Sequence, residues 1–141
     1  MSATTEQKKG TPKHYSPVMP YLVLRDAKSF IEFIRAVFDA TEILRVNKEG
    51  GELMHAEYDI NGGTVMFGQC GEEWPAFPAG MFVLVKDVDG VYAKGLANGA
   101  DGNQEPGDRG YGRTAGFIDP NGNQWWLNDP ENIEDKVQSS R

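Results

Sequence analysis

Two rhythms of apolar residues alternate along the chain, and the alternation occurs twice. Val18 to Leu24 is a short apolar run that ends at Arg25-Asp26, the pattern of a buried strand. Asp26 stands where a helix N-cap belongs, able to accept from the free amides of a first turn. Phe30, Ile31, Phe33, Ile34, Val37 and Phe38 then recur at helical spacing, with Lys28, Glu32 and Arg35 between them. That spacing predicts an amphipathic helix over residues 27–39. Three strands are predicted next: Thr41 to Val46, Glu52 to Ile60, and Gly63 to Gln69. Asn61-Gly62 joins the last two as a hairpin, since both residue types tolerate positive φ. Residues 70–80, which hold two prolines and two glycines, read as a connector.

The pattern then restarts. Met81 to Val85 is a short strand, Asp87 caps a helix reaching about Asn98, and Gly99-Ala100 closes it. A glycine-rich stretch, 102–112, leads to strands over Arg113 to Ile118 and Asn123 to Asn128, joined at Asn121-Gly122. Asp59-Ile60-Asn61-Gly62 reappears as Asp119-Pro120-Asn121-Gly122, 60 positions on, and the capping Asp26 reappears as Asp87, 61 positions on. Two landmarks repeating in order at nearly one offset mark a duplicated unit.

Each unit reads as βαβββ, with one sheet face covered by its helix and the other open. The expected fold is α+β: two tandem βαβββ modules forming a curved mixed sheet around a trough, helices on the outer face. The trough is a natural place for a small ligand. The expected divisions are a disordered tail over 1–16, modules over about 17–70 and 80–129, and a C-terminal tail over 130–141. Whether the modules close on each other or on those of a partner chain stays open.

The chain has 141 residues, the size of one ordinary domain, and a net charge of −7. Such a charge repels a phosphate backbone, so no nucleic-acid partner is expected. It suits solubility, or attraction of a cationic ligand. No apolar stretch approaches a membrane span, so no membrane association is expected. The polar start does not read as a signal peptide. The single Cys70 excludes a disulfide framework and points to a reducing compartment. A cytoplasmic protein is expected.

The runs PYLVLRDAKSFIEF, MHAEYDINGGTVMFG, FVLVKDVDGVYAKGLANGA and GFIDPNGNQWWLND resemble the glyoxalase/bleomycin-resistance/extradiol-dioxygenase superfamily, also called vicinal oxygen chelate. The PYL start, the His-Ala-Glu strand and the Asp-Pro-x-Gly-x-x-Trp ending are most similar to its PhnB-like subgroup. The resemblance covers residues 17–128 and implies a homodimer. Enzymes of this superfamily hold a divalent metal in the trough. The corresponding positions fall on Met19 or Pro20, Gly80 or Met81, Met66, and Trp126, none of which is a nitrogen or oxygen ligand. No metal and no other cofactor are therefore expected.

Alternation along strands selects the trough-facing candidates. Met66 and Trp126 should point inward, with Gln124 beside Trp126, while Val65, Phe67, Trp125 and Leu127 face the helices. His55 and Glu57 share one strand face and are the candidate catalytic pair, His55 as a base near neutral pH. Arg113 matches an arginine of PhnB-like proteins, and the repeat offset puts it in phase with His55 and Glu57. It would bind an anionic group, or pair with a surface acid. Tyr111 belongs to a candidate flap over the trough. The candidate ligand-binding set is therefore His55, Glu57, Met66, Tyr111, Arg113, Gln124 and Trp126. The leading functional expectation is a metal-independent binder of a small cationic or aromatic molecule, similar to bleomycin-resistance proteins. The alternatives are a metal-dependent lyase or dioxygenase with non-standard ligands, and a metal-free acid-base enzyme using His55 and Glu57.

Overall fold

The computed structural model describes residues 10–132 and has the two expected modules. The first contains β1 (Tyr21–Leu24), α1 (Ala27–Phe38), β2 (Thr41–Asn47), β3 (Leu53–Ile60) and β4 (Gly63–Gln69). The second contains β5 (Gly80–Leu84), α2 (Val88–Ala97), β6 (Asp101–Arg109), β7 (Gly112–Ile118) and β8 (Gln124–Asp129), followed by a short 3-10 turn, Pro130–Asn132. Sheet A runs β1-β4-β3-β2 and sheet B runs β5-β8-β7-β6. In each, the first strand lies parallel to the last, and the remaining pairs are antiparallel. The fold class is α+β.

The caps form as their residue types dictate. Asp26 accepts from the Ser29 amide and Asp87 from the Gly90 amide. Asp39 ends α1 in the left-handed region, at φ 55°. The first strand starts later than expected, because Val18 is exposed and pairing begins at Tyr21.

The glycine-rich stretch is a strand, not a flap or a loop. Over Asp101 to Arg109 it pairs with β7 through two register shifts. Its poor β-propensity is overridden by the backbone partners that β7 offers. Arg109 secures the bulged part by donating to the carbonyls of Gly107, Thr114 and Glu105.

Helix α1 lies between the two sheets, and α2 packs against sheet B and against α1. Phe30 of α1 meets Phe67 of sheet A, centroids 4.9 Å apart, and stacks toward Trp125 of sheet B at 6.5 Å. Phe33 meets Phe117 edge-on at 5.7 Å, and Phe38 lies 4.7 Å from Trp125. These buried rings join both sheets into one core, each ring worth about 2–3 kcal/mol of burial. Since α1 packs on the helix-covered face of both sheets, the two open faces point away from each other. One chain alone does not close a trough lined by both modules.

The repeated hairpin turns serve as cross-links. Asn61 Nδ2 donates to the Leu84 carbonyl at 2.7 Å. Asn121 Nδ2 donates to the Asp26 carbonyl at 3.1 Å, and its Oδ1 accepts from the Asp26 amide at 2.9 Å. Each module's turn thus grips the strand-to-helix junction of the other. Buried Asp119 holds the second turn, accepting from the amides of Asn121 and Asn123 and from Trp125 Nε1. This compensates a carboxylate that would otherwise be costly to bury.

The second hairpin is also longer. Ile60 pairs with Gly63 in the first, whereas Ile118 pairs with Gln124 in the second. Glu57 pairs with Met66, but the residue paired with Trp126 is Gly116, one position earlier than a constant repeat offset gives. A one-residue slip exchanges the two faces of a strand.

Candidate ligand-binding site

The open face of sheet A gathers Tyr21 and Val23 from β1, Met66 and Thr64 from β4, and His55 and Glu57 from β3. The register fixes this, because Tyr21 and Glu57 are both cross-strand partners of Met66. The opposite set, Ala56, Tyr58, Val65 and Phe67, is buried under α1.

Glu57 is only 1% exposed, although it lies on the open face. Its cover comes from the chain before β1. His14 Nε2 reaches Glu57 Oε1 at 2.7 Å, and the Tyr15 hydroxyl donates to Oε2 at 2.8 Å. His55 Nε2 approaches Oε2 at 2.8 Å. Burial pushes the Glu57 carboxyl up, but the hydrogen bonds from His14, His55 and Tyr15 outweigh it and hold the group at about 2. Glu57 is an anion at any ordinary pH. An anion only accepts, so both imidazole Nε2 atoms carry protons. In the neutral ring His55 Nδ1 accepts from the Tyr21 hydroxyl, 3.1 Å away. The Tyr21 ring stacks on His55, centroids 5.5 Å apart. Burial and the Glu57 charge raise the Tyr21 phenol, and the hydrogen bond to Glu57 raises that of Tyr15.

Beside this cluster is an open groove of about 410 Å³ lined by Tyr21, Val23, Met54, Gly68, Trp74 and Phe77. The connector forms its far wall, held by a bridge between Phe77 and Val23. Gly68 forms the floor, where a Cβ would lie 2.7 Å from the Met54 carbonyl oxygen. A larger hollow of about 450 Å³ lies on the helix side of sheet A, lined by charged residues including Lys28, Glu32, Arg35 and Arg45. It shares nothing with the open face except Gln69.

The open face of sheet B carries Trp126 and Gln124, with Phe82 and Leu84 on β5. Trp126 is 42% exposed and lies over Gly80, where a Cβ would come within 2.9 Å of the indole. Gln124 exchanges hydrogen bonds with Asn103. Trp125 and Leu127 face the helices, so one indole packs the core and the other is presented on the open face.

The seven expected residues thus separate. His55, Glu57 and Met66 come together on sheet A. Gln124 and Trp126 share the open face of sheet B. Tyr111 lies in the turn between β6 and β7, at the opposite end of β7 from the strand pair that includes Gln124. Arg113 faces the helix side, where it donates to Asp89 on α2 at 2.6 and 2.8 Å and to Asp108 at 3.1 Å. The longer second hairpin is the reason: its extra residue reverses the phase inferred from the repeat. Both acids raise the Arg113 guanidinium further above its usual range.

A family model for the glyoxalase/bleomycin resistance protein/dioxygenase superfamily matches residues 13–127. The chain belongs to this superfamily. An uncharacterized protein of Mycobacterium bovis, Mb0911c, is 34% identical over 135 residues, covering 86% of this chain and 89% of that one. Among solved structures, TioX from Micromonospora sp. ML1 is 27% identical, with a TM-score of 0.69 over 82% of this chain and 99% of its own. A fosfomycin resistance protein, FosX from Listeria monocytogenes, solved with Mn(II) and sulfate, is 17% identical, with a TM-score of 0.67 over 93% and 100%. A PhnB protein from Bacillus cereus is 16% identical, with a TM-score of 0.62 over 80% and 98%. The FosX and PhnB likenesses show the fold. No helix among the described residues is long and apolar enough to cross a membrane.

The donor set does not fit the divalent metal of the superfamily's enzymes. Met66 and Trp126 stand at the two last-strand positions, and neither supplies the imidazole or carboxylate those ions need. The described residues contain no group of three His, Cys, Asp or Glu side chains placed to hold an ion. His14 and His55 both direct their Nε2 protons at Glu57, so they act as donors to it.

His14, Tyr15 and Tyr21 were not among the expected site residues. Tyr21 was legible in principle, since alternation along β1 sets it on the face opposite Leu22 and Leu24. His14 and Tyr15 lie in the segment expected to be a disordered tail, more than 40 positions from Glu57, and no local signal links them.

Proposed function

We propose that the protein is a metal-independent binder of a small cationic, aromatic molecule, held on the open face of sheet A. The observation that carries this reading is the buried Glu57 anion beside a groove walled by Tyr21, Trp74 and Phe77. A fixed anion next to aromatic faces is how proteins recognise organic cations. Binding without chemistry is favoured over acid-base catalysis because Glu57, the acid beside His55, is buried and tied to three donors, and the groove next to it is walled by aromatic side chains rather than by further titratable groups.

The homodimer is part of the same proposal. Phe82 is 60% and Leu84 56% exposed beside Trp126 on sheet B. A patch of this kind calls for cover. A two-fold pairing that sets sheet A of one chain against sheet B of the other would bury it and build two equivalent troughs. Gln124 and Trp126 of one copy would then face His55, Glu57 and Met66 of the other.

The test begins with elemental analysis of protein purified without chelator or histidine tag, followed by tryptophan fluorescence titration with a panel of aromatic cations and their neutral analogues. We expect no stoichiometric metal and saturable binding selective for cations. One Fe, Zn, Mn or Ni per chain, lost in His55→Ala, would refute the reading in favour of an enzyme with unusual ligands.

A further inference from the structure

Residues 12–16 cross the open face of sheet A in an unusual way. A turn closed by the Tyr15 amide on the Pro12 carbonyl, at 3.0 Å, presents His14 and Tyr15 side by side. Their rings meet edge-on at 4.8 Å. The segment bonds to the sheet through side chains of the sheet only. Glu57 accepts from His14 and Tyr15, and the Thr64 hydroxyl donates to the His14 carbonyl. Among the described residues no backbone ladder joins this segment to a strand. It is a strap laid over the face, and can leave without breaking the sheet.

The two strap donors occupy the two oxygens of one carboxylate, at 2.7 and 2.8 Å. Two parallel donors on one carboxylate is the pattern made by a guanidinium or amidinium. We propose that residues 12–16 are an internal stand-in for the ligand, and that the ligand displacing them carries an amidinium or guanidinium head on an aromatic body. The head replaces His14 and Tyr15 on Glu57, while His55 keeps its own bond to Oε2. The body lies across Tyr21 into the Trp74–Phe77 groove. Glu57 and Tyr21 stand on strands separated by β4. The head-to-groove span is therefore about 10 Å, two strand spacings, which sets the reach of the ligand.

This inference rests on the reading of sheet A as the ligand face and adds two claims, the forked head and the competing strap. Competition makes an unusual prediction: damaging the strap should improve binding. The occupied fraction of strap-open molecules limits apparent affinity, and each donor to a charged acceptor shifts that balance by about tenfold.

The probe is 4′,6-diamidino-2-phenylindole, an aryl amidine whose emission reports binding, with 2-phenylindole as the neutral control. In the full chain, His14→Ala/Tyr15→Phe should bind the amidine about tenfold or more tighter than wild type. Glu57→Gln should bind it at least about tenfold weaker, and 2-phenylindole should not respond to the strap variant. Unchanged or weaker amidine binding by the strap variant would overturn the inference and leave the strap a structural cover. This holds even if Glu57→Gln fails to fold, because the strap variant keeps the carboxylate. Equal binding of amidine and control, with no effect of Glu57→Gln, would overturn the forked head while leaving an aromatic site on sheet A. Absence of binding by any aromatic cation or neutral analogue would overturn the underlying reading as well.

Discussion

Replacing Glu57 by Gln removes a charge that the fold has surrounded with donors, and the cost can be worked from the position of its titration. The carboxyl is held at about 2 in place of its ordinary 4.5. A group depressed by that much favours the folded chain by about 3 kcal/mol once ionised in both states. Because the folded value is the lower one, this contribution is fully present above pH 4.5. It fades as pH falls from 4.5 toward 2, where the folded carboxyl also protonates. Glu57→Gln should therefore cost about 3 kcal/mol at pH 7, a large share of the roughly 5–15 kcal/mol that holds a domain together. Glutamine keeps one acceptor, but its amide nitrogen meets a donor from His14 or from His55 and Tyr15. The assay is urea unfolding of wild type and variant at pH 7 and at steps down to about pH 2.5, with m-values compared to confirm one transition. The two stabilities should converge over the acid range, because only wild type loses the carboxylate. A difference below about 1 kcal/mol at pH 7, or one that persists unchanged in acid, would refute the reasoning.

Three further outcomes follow from the geometry. Phe82→Asp should convert the proposed dimer to monomer in sedimentation while leaving the circular dichroism spectrum intact, since Phe82 is outside the intrachain core. Gly95→Ala should lower the thermal midpoint by the equivalent of about 1–3 kcal/mol, because a Cβ there falls 2.3 Å from Phe117 Cε2. Arg113→Ala should leave ligand affinity within about twofold, because its guanidinium pairs with Asp89 and Asp108 on the helix side; a large loss of affinity would return it to the site.

The fold was legible because its signals were local and repeated. Two capped helices, two Asn-Gly hairpins and one offset gave the modules, and the Trp125-Trp126 pair divided between core and open face as alternation requires. The same offset misled at Arg113. An offset carries phase only while loops keep their length, and the Asp119 turn added a residue to the hairpin that set the phase. The glycine-rich stretch misled for another reason: a strand held by its neighbour's hydrogen bonds needs little propensity of its own. The strap was invisible because nothing in a His-Tyr pair near the end of a polar stretch names a glutamate more than 40 positions away. His55 and Glu57 were found by alternation, Glu57 as the acid that orients His55 or pairs with a cation. In the structure the acid is the centre, and three donors converge on it.

Duplication also explains why the site is lopsided. The two modules share a sheet, a capped helix and a gripping asparagine, and differ mainly on their open faces. Sheet A carries an anion, two imidazole donors and a phenol, whereas sheet B carries Trp126, Phe82 and Leu84. Neither face alone encloses a small molecule, since the shared helical core forces them to opposite sides of the chain. The hydrogen bonds from Asn61 to Leu84 and from Asn121 to Asp26 fix that divergence. A polar face and an apolar face, held apart within each chain, would meet only between chains, as in the proposed dimer. The proposed two-fold dimer would form two whole sites at once. Within one chain the His14–Tyr15 strap lies over Glu57, where the proposed ligand would displace it.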